Sequence, residues 1–286
     1  MIDFFYLMMD ETDIVTGRHL KKIPKAVKEI CDCCEKKPSV VMICITCVDA
    51  LLGTDMERVC RKAEEKVDIP VRPCYMYALT REGRKPPMVH VRQSLYSLLE
   101  PQKKKGNVVN LLGFFSPLVD DCEMYELLQQ AGVKTIHEIS RCKDYEEYQT
   151  MSQANFNLVL HPEARFAAED FHDRLKIPFI ELRRLYQTDK IENQYCALGQ
   201  VLGVSFDQEV YKKTAEEAVE RFREVCPDAS FAVGECMNGD SFELALALVR
   251  YGFRVPEIYG TITAENFVYN TASCGIESGY KRFFSN

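Results

Sequence analysis

Short apolar runs alternate with stretches of helical periodicity along most of the chain. Leu20, Ile23, Val27, Ile30, Cys31 and Cys34 recur at helical spacing, and Pro24 suits the first turn of that helix. Residues 40–45 form a continuous, β-branched run, the pattern of a parallel strand covered on both faces. A helix is predicted over 48–66, a strand over 69–74, a loop over 75–87 and a helix over 89–99. Residues 101–106 (Pro-Gln-Lys-Lys-Lys-Gly) read as a linker.

The alternation then becomes regular. Strands are predicted over 108–112, 133–139, 156–160 and 179–182, and helices over 121–131, 144–153, 162–175 and 189–202. Such alternation argues for a parallel, Rossmann-like sheet. A further helix over 209–225 leads to a strand over 230–233, a loop over 234–239, a helix over 241–251 and a strand over 253–259. Asp240 and Glu243 have the spacing of a capping box. The expected fold class is therefore α/β, with tandem Rossmann-like parallel-sheet domains at 1–105, 106–226 and 227–286. The third domain, with about two strands, reads as incomplete.

Composition narrows the function classes. A chain of 286 residues with 47% hydrophobic residues can bury a sizeable core. The formal charge of −7 argues against nucleic acid and anionic membrane surfaces as partners. No apolar run approaches the roughly 20 residues that span a bilayer. Thirteen cysteines, an odd number in a large chain, favour reduced cytoplasmic thiols with possible metal ligation over a secreted disulfide framework.

Two strand ends carry candidate chemistry. Cys47 follows the 40–45 strand and opens a helix, a place where ligands collect and where a thiol tends toward thiolate. It reads either as a ligand to iron or an iron–sulfur cluster, or as a buried structural cysteine. Cys44 and Cys47 match C-x-x-C in form, but Cys44 lies inside the strand, unlike a redox pair opening a helix. Cys31, Cys33 and Cys34 read as a helix end, with Cys33 exposed and the other two packed. His161 stands at the second strand end, before Pro162, where it could ligate a metal or contact an anion, or simply cap the helix. Arg165, one turn on, could meet the same anion or form a surface pair. The loop holding Gly234, Cys236 and Gly239 could bring backbone close to a ligand, but it lacks the spacing of a nucleotide fingerprint.

These residues carry a resemblance. Asp10-Glu-Thr-Asp13-Ile-Val-Thr-Gly17, followed by Thr46-Cys47-Val and Leu52-Gly53-Thr-Asp55, is similar to the nitrogenase component 1 type oxidoreductases. Asn110-Leu-Leu-Gly113, Asn157-Leu-Val-Leu-His161, Ile177-Pro178 and Phe242-Glu-Leu continue it in order. The resemblance implies three Rossmann-like domains around a cleft, with Cys47 as a metal ligand to an iron–sulfur cluster at a subunit interface. It implies His161, Arg165, Gly234, Cys236 and Gly239 as cofactor-facing residues. It also implies an oligomer with a homologous second subunit and electrons from an ATP-dependent iron–sulfur reductase. The family's other cluster cysteines lie upstream of the acidic segment, so here the cluster is expected to be shared with another chain or absent. Nitrogenase itself has a cofactor-anchoring cysteine at the position matching His161. Two functions follow as expectations: low-potential electron transfer through a cluster to a bound substrate, or a non-catalytic scaffold for cofactor maturation or partner binding.

Overall fold

The computed structural model describes residues 4–45, 47–76, 87–234 and 239–260. In chain order, the first elements are α1 (Glu11–Val15), α2 (His19–Cys33), β1 (Val41–Ile45), α3 (Cys47–Leu52), α4 (Met56–Val67), β2 (Val71–Tyr75) and α5 (Pro87–Tyr96). Then come β3 (Val108–Leu112), α6 (Glu123–Gln130), β4 (Thr135–His137), α7 (Tyr145–Gln149), β5 (Phe156–Val159), α8 (Arg165–Leu175) and β6 (Phe179–Glu181). These are followed by α9 (Thr188–Leu202), α10 (Glu209–Val225), β7 (Ser230–Val233), α11 (Ser241–Arg250) and β8 (Arg254–Ile258). The chain groups into two compact units, Met1–Asp120 with Val133–Glu181, and Asp121–Gly132 with Leu182–Asn286.

The first unit contains two parallel sheets. β1 pairs with β2, and the other sheet runs β4-β3-β5-β6. In that order the chain leaves β3 for β4 on one side, then crosses back to β5 on the other. The crevice between the carboxyl ends of β3 and β5 is thus a topological switch point, where open α/β sheets place their ligands. β3 is buried along its whole length, as expected for a central strand of Val, Val, Asn, Leu and Leu. Its side chains join a core with Tyr96, Leu99, Met151, Val159, Ala167, Ala168 and Phe171, in which Phe171 meets Tyr96 edge-on at 5.1 Å. Asn110 and Asn157 interrupt the apolar runs side by side. Asn110 donates from Nδ2 to Asn157 Oδ1 at 2.7 Å and to the Met151 carbonyl at 2.9 Å.

Local chemistry shifts several expected boundaries. The helix expected over 48–66 is two helices, because Gly53 turns left-handed (φ 65°) and Asp55 starts α4 afresh by accepting the Arg58 N–H at 3.0 Å. Pro24 is not in a first turn: α2 begins at His19, which leaves Pro24 buried inside the helix. The helix expected over 162–175 opens instead with a 3-10 turn, Pro162–Ala164, and the one over 144–153 closes with another, Thr150–Gln153.

In the second unit, β7 and β8 pair in parallel, and α11 covers them through Val233, Ala245 and Val255. Phe222, Phe231 and Phe253 form an aromatic trio with centroids 5.5–6.0 Å apart. Asp240 caps α11 as expected, accepting from Phe242 and Glu243 N–H, yet the Glu243 carboxylate turns inward. It receives the Gln187 amide at 2.9 and 3.0 Å and the Lys190 ammonium at 3.1 Å, which ties the start of α9 to α11.

Candidate functional site

Cys47 sits at the carboxyl end of the parallel pair β1–β2, at the first residue of α3, and its side chain is exposed. The buried structural reading of this thiol is therefore overturned. α3 has only six residues, so its dipole adds little to the thiol's environment. The iron–sulfur fit can be judged from the donor set. Among the described residues, no group of three or more His, Cys, Asp or Glu side chains is arranged to hold a metal ion. By itself, then, the described donor set does not complete a cluster site around Cys47.

His161 lies at the switch-point crevice. Its ring stands edge-on to Phe114 at 5.5 Å, and its Nδ1 accepts the Glu163 N–H at 3.3 Å, capping the turn that leads into α8. In the neutral ring that bond leaves the proton on Nε2. The Glu163 carboxylate is 3.8 Å from Nδ1 on the same side. Here the strand of β5 and the loop after β3 approach so closely that only glycine fits at Gly113: an added Cβ would lie 2.8 Å from the His161 nitrogen, and φ is 156°. Gly113→Ala should lower stability by about 2–3 kcal/mol through backbone strain and overpacking. A urea midpoint unchanged from the parent would contradict that close approach.

A residue absent from the sequence-derived candidates organises this loop. Arg92 of α5 is buried; it donates from Nε to the Gly113 carbonyl at 3.0 Å and from Nη1 to the Met88 carbonyl at 3.0 Å and Glu163 Oε2 at 2.7 Å. A second guanidinium N–H also reaches the Gly113 carbonyl, and the group lies 4.7 Å from the Phe115 ring centre. The available signal was its place on the buried stripe Val89, Arg92, Tyr96, where a cation interrupts an apolar face.

The remaining candidates fall in different settings. Arg165 is half exposed and faces carboxylates, Glu169 at 3.3 Å and Glu181 at 3.9 Å, which matches the surface-pair reading. Gly234 follows β7 with open space where a Cβ would be, and Gly239 precedes the Asp240 cap. Both belong to the second unit, and Cys236 lies outside the described residues. The structure thus brings His161 together with Gly113, Phe114, Glu163 and Arg92, while Cys47 stands at the end of the other sheet. Burial pushes the thiols of Cys60 and Cys142 up to about 12 and 11, so little of either is thiolate near neutral pH. His19 is buried with Nδ1 3.2 Å from the Asp13 carbonyl, as a structural histidine should be.

A parallel α/β sheet with a glycine-opened switch point and a thiol at a strand end defines the class, and sequence comparison identifies it. The profile of the nitrogenase component 1 type oxidoreductases matches residues 1–248, and the chain belongs to that family. Among curated relatives, the nitrogenase iron-molybdenum cofactor biosynthesis protein NifE of Rhizobium meliloti (strain 1021) is 29% identical over 202 residues, covering 69% of this chain and 41% of that protein. NifE of Nostoc sp. (strain PCC 7120 / SAG 25.82 / UTEX 2576) is 27% identical over 177 residues, covering 60% and 36%. The chain thus spans less than half the length of these relatives. A solved structure titled nitrogenase Cp1 at pH 5 superposes with a TM-score of 0.59 at 20% identity, covering 90% of this chain and 53% of that one, which confirms the fold. No helix among the described residues is long and apolar enough to cross a membrane.

Proposed function

We propose that this chain is a scaffold module of metal–sulfur cofactor biosynthesis, acting in an oligomer with a homologous second subunit. Cys47 contributes one thiolate to an iron–sulfur cluster whose other ligands come from that partner, and the crevice at His161 faces the cofactor. The observation that carries this reading is the exposed thiol that follows β1: among the described residues it belongs to no group of three or more metal-holding side chains, and it is offered outward. The names of the NifE relatives support biosynthesis over substrate reduction. The fork of Arg92 on Gly113 and Glu163 holds the crevice in shape, and the Glu163 N–H fixes the His161 ring through Nδ1. Low-potential electron transfer, with an ATP-dependent iron–sulfur reductase as donor, is the competing role for the same thiol.

The test is anaerobic reconstitution of the co-expressed pair with ferrous iron and sulfide. Cys47→Ala should abolish the bound iron while leaving far-ultraviolet circular dichroism and pair formation unchanged. Full iron content in that variant would overturn the reading. Reductase-driven bleaching of the cluster coupled to substrate turnover would favour electron transfer instead.

A further inference from the structure

A different pair of thiols lies beside the Cys47 turn. In the register of β1 and β2, Cys44 is paired directly with Cys74. Paired residues of parallel neighbours share a face, and their strands lie about 4.8 Å apart, inside the roughly 4.4–6.8 Å of Cα separation that a disulfide accepts. The register thus sets the two thiols side by side near the carboxyl ends of the strands, and the Cys44 thiol bears electrostatically on that of Cys74. Their exposures differ in a useful way: Cys44 is open to solvent and Cys74 is buried. Among the described residues β1 and β2 pair only with each other, so drawing the pair together disturbs no third described strand.

We propose that Cys44 and Cys74 form a thiol–disulfide exchange site that takes small-molecule disulfides. The Cys44 thiolate attacks one sulfur of glutathione disulfide, which forms a Cys44–glutathione bond and expels one glutathione thiolate. The Cys74 thiolate then attacks the Cys44 sulfur, forming the Cys44–Cys74 bond and expelling the second. The two cysteine protons end on two glutathione molecules; the protein loses two electrons and the small disulfide gains them. The new bond ties the carboxyl ends of β1 and β2 three residues before Cys47. The site neither uses Cys47 nor depends on a cluster. Cys44 and Cys47, although spaced C-x-x-C, are divided between a strand and a helix start, whereas Cys44 and Cys74 are direct register partners.

Burial and the neighbouring Cys44 push the Cys74 thiol up to about 11, so ring closure is the slow step. Its rate should rise about tenfold per pH unit from 7 to 9, following the thiolate fraction. The experiment treats the whole chain with glutathione disulfide, quenches with acid and maps peptides without reduction. The wild-type protein and Cys47→Ser should both give a Cys44–Cys74 cross-linked peptide, two hydrogens lighter than the parent pair and restored by dithiothreitol. Cys74→Ser should stop at the Cys44–glutathione adduct, and Cys44→Ser, altering an exposed side chain, should leave Cys74 unmodified. A Cys44–Cys47 linkage, a wild-type adduct that persists beside free Cys74, or no modification of Cys44 would each overturn the proposal.

Discussion

Replacing Arg92 with methionine is expected to destabilise the first unit by about 3 kcal/mol and lower its melting temperature by about 6–10 °C. Methionine keeps the length and the packing against Phe115 but removes every N–H that the loop uses. The Gly113 carbonyl loses two donors, the Met88 carbonyl one, and Glu163 its cation. Glu163 retains access to water, which is why the estimate stays at the low end for a broken buried ion pair. Arg92→Lys separates the contributions: it can keep the charge opposite Glu163 but not the planar fork on Gly113, so it should recover part of the loss. The consequence reaches His161, because its ring caps the backbone N–H of Glu163, whose carboxylate this clamp holds. Thermal unfolding of both variants is the check, and a methionine variant that melts with the parent would show that Arg92 does not organise the crevice.

Glu243→Leu should be at least as damaging to the second unit, costing about 3–5 kcal/mol. The carboxylate is nearly sealed from solvent and is the acceptor for the Gln187 amide, the Lys190 ammonium and the Tyr186 N–H at 3.3 Å. Leucine fills a similar volume but leaves a lysine only 16% exposed facing an apolar side chain. The double variant Glu243→Leu, Lys190→Met also removes the largely buried ammonium and should regain part of the stability. Denaturation midpoints of the two variants test this. If the single variant matches the parent, or the double is no better than the single, the network is not what joins α9 to α11.

The sequence revealed the strand–helix alternation because buried parallel strands are short, largely apolar runs, and 40–45, 108–112 and 156–160 all read that way. It placed Cys47 and His161 at strand ends for the same reason. The break between α3 and α4 was visible as Gly53-Thr-Asp55 but was outweighed by the helical period on both sides. What escaped was non-local. Arg92 is defined by partners 21 and 71 residues away, and no pattern within α5 shows which carbonyls it will meet. Glu243 has the spacing of a capping partner, yet its destination is set by Gln187, 56 residues earlier. The Asn110–Asn157 bridge needs two strands in register before either amide can be understood.

Iron and acid-labile sulfide content, measured anaerobically on this chain alone and on the chain co-purified with the proposed homologous subunit, tests the central claim most directly. A shared cluster predicts almost no iron on the isolated chain and a full cluster on the pair, lost in Cys47→Ala. A full cluster on the isolated chain, or a reconstituted pair without iron, would contradict it.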